Sequence, residues 1–145
     1  MTKRVLFLCT GNACRSQMAH GWANALALPD VEFYSAGIQT HGVNAHAITV
    51  MAEAGIDISD HKSQLISEFD TISFDVIFSV CDHANKNCPT VSGAPLIICH
   101  QFDDPPALAK DAVTEQQALD CYRQVRDQIK AWIALMPSQL NALTP

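Results

Sequence analysis

The apolar positions of the chain fall into short unbroken runs that alternate with amphipathic stretches. Val5 to Leu8 is a continuous apolar run ending at Cys9-Thr10-Gly11-Asn12, the pattern of a buried strand entering a loop. From Ser16 to Leu28 the residues Met18, Ala19, Trp22, Ala23 and Leu26 recur at helical spacing, and Ser16 is placed to cap that helix. Val31-Glu32-Phe33-Tyr34 reads as a second strand, closed by Ser35-Ala36-Gly37. Asn44 is placed to cap a helix bearing Ala47, Ile48, Met51 and Ala52, with Gly55 where a left-handed residue would end it. Asp75 to Val80 and Pro95 to Cys99 read as a third and a fourth strand. Thr114 and Gln117 suggest a capping box for a last helix. Its apolar stripe is Ala118, Leu119, Tyr122, Val125, Ile129, Trp132, Ile133 and Met136.

Strands therefore alternate with helices throughout. The expected fold is α/β: a four-stranded parallel sheet with helices on both faces, three layers in all. Ligands in such sheets bind at the carboxyl ends of strands, so chemistry is expected just after Leu8, Val80 and Cys99.

The chain has 145 residues, 48% of them hydrophobic and 17% charged. That is enough for one core, so a single domain spanning residues 1–145 is expected, and a disordered chain is excluded. Nine Lys and Arg against fifteen Asp and Glu give a net charge of -6. General nucleic-acid binding would call for a basic surface and is disfavoured, although one local pocket can still draw a small anion. No apolar run approaches the ~20 residues of a membrane span, and Met1 to Leu8 lacks the pattern of a signal segment. A cytoplasmic protein is expected. There the six cysteines serve catalysis, metal binding or the core more readily than lasting disulfides.

The first candidate site is Cys9-Thr10-Gly11-Asn12-Ala13-Cys14-Arg15-Ser16. A loop between a strand and a helix N-terminus can turn backbone N–H groups inward as a nest for a tetrahedral oxyanion. Gly11 lets the backbone come close, Asn12 tolerates a left-handed conformation, and Arg15 offers a planar fork for two oxyanion oxygens. The same N–H groups would stabilise a Cys9 thiolate, and Ser16 could donate to its sulfur. The competing reading is a structural turn with two small buried thiols. Cys81-Asp82-His83-Ala84-Asn85-Lys86-Asn87-Cys88 follows the third strand. Its spacing is too wide for a typical zinc pair. On a helix the two sulfurs would stand roughly 10 Å apart by rise, beyond the Cα reach of a disulfide. Such a bond would need the segment to loop out; the polar composition is consistent with a switch, and equally with a connection bearing two incidental thiols. After the fourth strand, Asp104 precedes Pro105 in Phe102-Asp103-Asp104-Pro105-Pro106. A carboxyl group there could protonate a leaving oxygen, although an ordinary acidic turn is the commoner meaning of Asp-Pro.

Taken together, these segments resemble the thioredoxin-coupled arsenate reductases, which share a fold and oxyanion loop with the low-molecular-weight protein tyrosine phosphatases. The resemblance covers nearly the whole chain. It rests on Cys9 to Ala19, Tyr34 to Gly37, Thr40 to Asn44, Gly55 to Ser59, the Cys81/Cys88 pair and Phe102 to Pro105. The Cys-x5-Arg loop is common to both branches, and the Cys81-x6-Cys88 pair marks the reductase branch. The resemblance implies that Cys9 attacks arsenate held by Thr10, Gly11, Asn12, Ala13, Cys14, Arg15 and Ser16, with Asp104 as proton donor. It implies that Cys81 then resolves a Cys9–Cys81 disulfide and that Cys88 moves it to Cys81–Cys88, for reduction by thioredoxin.

No metal or organic cofactor is expected. Some members of the family bind potassium near the loop through Asn, Ser and two carboxylates. Asn12 and Ser35 match, but His20 and Gln64 stand where the acids would be, so no potassium activation is expected. Two other classes remain: a tyrosine phosphatase using Cys9, Arg15 and Asp104 alone, and a non-enzymatic oxyanion or redox sensor. Pro106 stands without the tyrosines that line the phosphatase mouth. Cys99 and Cys121 read as core thiols and Met18 and Met51 as core residues; Cys14 reads as structural, with a side partner for oxidised Cys9 as the alternative.

Overall fold

The computed structural model describes residues 2–80 and 96–143. Four strands, β1 (Lys3–Cys9), β2 (Val31–Gly37), β3 (Val76–Ser79) and β4 (Ile97–Cys99), form one parallel sheet in the order β2-β1-β3-β4. The helices are α1 (Arg15–Ala25), α2 (Ala45–Glu53), α3 (Pro105–Leu108), α4 (Glu115–Ile133) and α5 (Met136–Leu143). The central strands β1 and β3 carry the unbroken apolar runs Val5-Leu6-Phe7-Leu8 and Val76-Ile77-Phe78 because both their faces are covered. Val5, Phe7 and Cys9 of β1, with Val76 and Phe78 of β3, face a core built with α1, α2, α4 and α5. Leu6, Leu8 and Ile77 face the other way, against Phe69, Ile72, Phe74 and the short 3-10 helix Ile66–Phe69. The expected parallel α/β sheet with helical cover on both faces is thus what the chain forms.

Several sequence signals act as expected. The Asn44 side chain accepts from the Ala47 N–H at 3.1 Å at the start of α2, and Gly55 follows that helix with φ +84. The buried stripe of α4 comprises Leu119, Tyr122, Val125, Ile129, Trp132 and Ile133, while Ala118 is half-buried. Met136 is buried at the start of α5, beyond a break in the helix. Two caps differ. Thr114 accepts from the Gln117 N–H, but the Gln117 side chain returns to the Val113 N–H instead of closing a box on Thr114. Ser16 does not cap α1. That helix begins at Arg15 after Cys14, without a side-chain cap, because the Ser16 hydroxyl accepts from Asn12 Nδ2 at 2.8 Å.

The strand order puts the next strand in sequence, β2, on one side of β1 and β3 on the other. The carboxyl end of β1 is therefore the switch point where the connections part, leaving a crevice. Residues 9–15 fill it.

Candidate active site

The site is built on the loop that joins β1 to α1. Its carbonyls are anchored outward one after another. The N–H groups of Ile38, Gln39, His41 and Asn44 donate to the carbonyls of Cys9, Thr10, Gly11 and Ala13, at 3.4, 2.8, 3.0 and 2.8 Å. The Asn12 carbonyl accepts from Ser63 Oγ at 2.7 Å and from Gln17 Nε2 at 3.1 Å. In a trans peptide the N–H points opposite to its C=O. Anchoring five successive carbonyls fixes the loop amides as a set, which is what an anion nest requires.

Asn12 is the strained point of the loop, fully buried with φ +48. Its side chain is saturated: Nδ2 donates to Ser16, while Oδ1 accepts from Gln17 Nε2 at 2.9 Å and from the Gln64 N–H at 2.8 Å. These straps hold a conformation that a non-glycine residue adopts only when its surroundings over-determine it. Gly37, paired with Cys9 across β1 and β2, permits the close approach: a Cβ there would strike the Gln39 carbonyl and lie 2.8 Å from the Asn12 nitrogen.

Cys9 ends β1 and is 4% exposed, a free thiol at the floor of the crevice. Arg15 is also buried; its Nη1 donates to the Phe102 carbonyl at 3.1 Å, and its Nη2 lies 3.7 Å from Asp104 Oδ1. That links the first loop to the one after β4. Phe102 is fixed in turn by its edge-on ring contact with Trp132, on which His100 stacks at 4.8 Å. Asp104 precedes Pro105 at the start of α3, and its side chain makes no cap hydrogen bond. The arrangement thus sets a buried thiol, a guanidinium fork and a half-exposed carboxylate around one nest. It can bind a tetrahedral oxyanion, attack its central atom and hand a proton to the departing oxygen.

The relatives decide the family. The profile of the low molecular weight phosphotyrosine protein phosphatase family matches residues 4–143. The chain belongs to this family. Within it, the chain is 44% identical over 131 residues to arsenate reductase 1 of Staphylococcus epidermidis, covering 90% of this chain and 92% of that one. It is 42% identical over 130 residues to the arsenate reductase of Halalkalibacterium halodurans, covering 89% and 91%. A solved arsenate reductase in the oxidized state superposes with a TM-score of 0.76 at 30% identity, covering 96% of this chain and 99% of that one. A low molecular weight protein tyrosine phosphatase from T. tengcongensis superposes with a TM-score of 0.71 at 26% identity, covering 96% and 100%.

Within this phosphatase-family fold, Cys9, the residues Thr10 to Ser16, and Asp104 come together. Cys81 and Cys88 lie outside the described residues. Cys14 is a buried free thiol, pushed well above the usual range chiefly by that burial and then by the neighbouring Cys9. Cys121 is a half-buried free thiol on α4. The reading of Cys99 as a core thiol is corrected: it is exposed at the end of β4 and disulfide-bonded. β4 has one strand neighbour in the described sheet, so an apolar run there does not bury every position.

The sequence reading missed Gln17, Ser63 and Gln64 as straps of Asn12. A buried glutamine in the first turn of α1, at 0% exposure beside an oxyanion loop, is the signal that could have found one of them.

Proposed function

We propose that this chain reduces arsenate to arsenite through Cys9, Cys81 and Cys88, with thioredoxin restoring the thiols. The observation that carries the reading is the convergence of Cys9, Arg15 and Asp104 on one nest, in a chain 42–44% identical to proteins named arsenate reductases.

The Cys9 thiolate attacks arsenic; an As–S bond forms and one oxygen leaves, taking a proton from Asp104. Thr10 to Cys14 and Arg15 hold the remaining oxygens, and Ser16, whose oxygen accepts from Asn12, directs its proton to the Cys9 sulfur. The Cys81 thiolate then attacks the Cys9 sulfur. An S–S bond forms, the S–As bond breaks, and its electron pair stays on arsenic, which leaves as arsenite. Cys88 attacks Cys81, freeing Cys9 and leaving a Cys81–Cys88 disulfide. The two electrons return when the thioredoxin dithiol exchanges with that disulfide and is itself oxidised.

Three thiols answer a specific difficulty. Arsenate and phosphate share charge and shape, so the nest holds both; what distinguishes arsenate is that thiols can reduce it. The oxidising equivalent forms on Cys9, which a large reductase cannot reach at 4% exposure. Cys81 and Cys88 carry it outward. This chemistry needs a compartment that keeps thiols reduced, so we place the protein in the cytoplasm, with neither nucleic acid nor a membrane as partner. Among the described residues no helix is long and apolar enough to cross a membrane.

The test is arsenate-dependent NADPH oxidation with thioredoxin and thioredoxin reductase, comparing wild type, Cys88→Ser and Cys99→Ser. Sustained turnover is expected in wild type and Cys99→Ser, and at most one turnover in Cys88→Ser. Turnover lost in Cys99→Ser but kept in Cys88→Ser would make Cys99 the exporting thiol. A chain that hydrolyses a phosphate ester but never consumes NADPH would be a phosphatase, the second reading that the family supports. A weak ester hydrolysis beside the reductase is expected, because Cys9, Arg15 and Asp104 suffice for it. Thiols that cross-link with no turnover of either kind would mark a sensor.

A further inference from the structure

Behind the loop lies a cavity of about 240 Å³, lined by Gln17, His20, Ser35, Asp60, His61 and Gln64. The rings of His20 and His61 meet there with centroids 4.9 Å apart. Each is tied to a different element. His20 Nδ1 lies 3.1 Å from Ser35 Oγ on β2, and His61 Nδ1 lies 2.9 Å from Gln17 Oε1 on α1.

The Gln17 amide decides which His61 nitrogen carries the proton. Its Nε2 faces three oxygens: the Asn12 carbonyl and Oδ1, and the Lys62 carbonyl at 3.1 Å. Turning the amide over would set its oxygen against all three. Oε1 therefore faces His61, and His61 Nδ1 is the donor. A continuous path of contacts thus runs from Ser35 through His20, His61 and Gln17 to Asn12, the left-handed residue of the loop.

Some members of the family bind potassium near this loop, and the residues present here do not fit it. A hard cation wants oxygen lone pairs. Asn12 Oδ1 already accepts from two N–H groups, and Ser35 Oγ is engaged by an imidazole. Where two carboxylates would balance the charge stand His20 and Gln64. Of the cavity's lining, Asp60 alone is acidic, and Lys62 opposes it.

We infer that the His20–His61 pair takes the place of a cation beneath the oxyanion loop, and that His61 is a positioning residue acting through Gln17 on Asn12. The pair is uncharged at neutral pH. Burial first, and then His61, brings His20 down to about 4; burial lowers His61 against the opposing pull of Asp57 and Asp60. Neutral rings can lie this close where two charged ones would repel.

The inference takes the loop as the oxyanion site but needs no turnover, so it can fail while the reductase reading stands, and the reverse. Inorganic phosphate is titrated calorimetrically into the reduced full-length chain in potassium, sodium and choline chloride at one ionic strength. Wild type, His61→Ala and His61→Asn are compared. Wild-type affinity is expected to agree within about twofold across the salts. His61→Ala is expected to weaken phosphate about tenfold or more in all three, by letting the loop shift. His61→Asn, whose amide N–H falls where Nδ1–H was, should recover most of that loss, which a purely structural role would not give. Potassium tightening wild-type binding well beyond twofold over sodium overturns the cation-free reading. Unchanged affinity in His61→Ala, or no recovery in a His61→Asn that melts like wild type, overturns the positioning role. Should His61→Ala fail to fold, His61→Asn with wild-type affinity and the salt series decide.

Discussion

Gly37→Ala tests whether the loop is held by backbone packing from β2. The added Cβ would strike the Gln39 carbonyl and lie 2.8 Å from the Asn12 nitrogen and 2.9 Å from the Thr10 carbonyl oxygen, where ordinary contact begins near 3.4 Å. All three are backbone atoms, so no rotamer change relieves them. The loop must retreat by about 0.5–0.6 Å, and overpacking of this kind costs about 1–3 kcal/mol. For a chain of this size, each kcal/mol lowers Tm by about 2–4 °C. A misplacement of about 1 Å at a reacting centre costs about a hundredfold, so about half that shift predicts phosphate binding weakened about tenfold. The assay pairs calorimetric phosphate titration with thermal melting. Gly55→Ala is the control. It sits after α2 with φ +84 and open space around its Cα, so alanine there costs about 1 kcal/mol of conformational strain without touching the loop. Gly37→Ala should lose both stability and affinity, and Gly55→Ala stability alone. Wild-type affinity in Gly37→Ala, or equal affinity losses in both variants, refutes the reasoning.

Three further outcomes are expected. Arg15→Lys keeps the charge but loses the planar fork and its bond to the Phe102 carbonyl; phosphate affinity and the single-turnover rate should both fall about a hundredfold or more. Asp104→Asn should slow the first thiol–arsenate step about 10²–10⁴-fold in rapid-quench measurements. It should leave phosphate binding equal or tighter, since a negative charge 3.7 Å from Arg15 is removed; a large loss of phosphate affinity would make Asp104 structural instead. Acid melting should reveal the buried imidazoles. His20 binds its proton near 4 when folded and near 6.5 when unfolded, so the unfolded chain takes up protons first as pH falls, and Tm should drop between about pH 6.5 and 4. His20→Gln should flatten that slope, and an unaltered slope would show that His20 is not the titrating group.

The central strands were legible because both their faces are buried and their sequences read as unbroken apolar runs. Val76–Ser79 and Ile97–Cys99 fall inside the expected stretches, whereas β2 runs on through Ser35-Ala36-Gly37, which reads in sequence as its end. The loop was legible for a different reason: its special residues, Gly11, Asn12 and Arg15, fall within five successive positions. What holds the loop was not legible. Ser63 and Gln64 reach Asn12 from about fifty positions away, and Asn44 grips Ala13 while also capping α2. No local pattern marks such contacts. The Ser16 error has the same origin. A serine before an apolar periodic stretch is a reasonable cap by propensity, but here tertiary demand from Asn12 takes its hydroxyl.

The way the loop is anchored also bears on where selectivity resides. Every carbonyl from Cys9 to Ala13 is bound by donors of the chain itself, and Asn12 is strapped on both its amide atoms. The nest therefore exists before an anion enters, and binding requires little reordering. A preformed nest recognises tetrahedral shape and charge, which phosphate and arsenate have in common, so tightening it raises affinity for both alike. Discrimination must come after binding, at a step that only one of the two anions can undergo. In the proposed reaction that step is the attack on the Cys9 sulfur, where the bond to arsenic can release its electron pair to the metalloid. Phosphorus offers no such acceptor, and a phosphate carried on the Cys9 sulfur can leave only by hydrolysis. In the proposed reaction the nest would thus supply affinity, while the second and third thiols would supply selectivity.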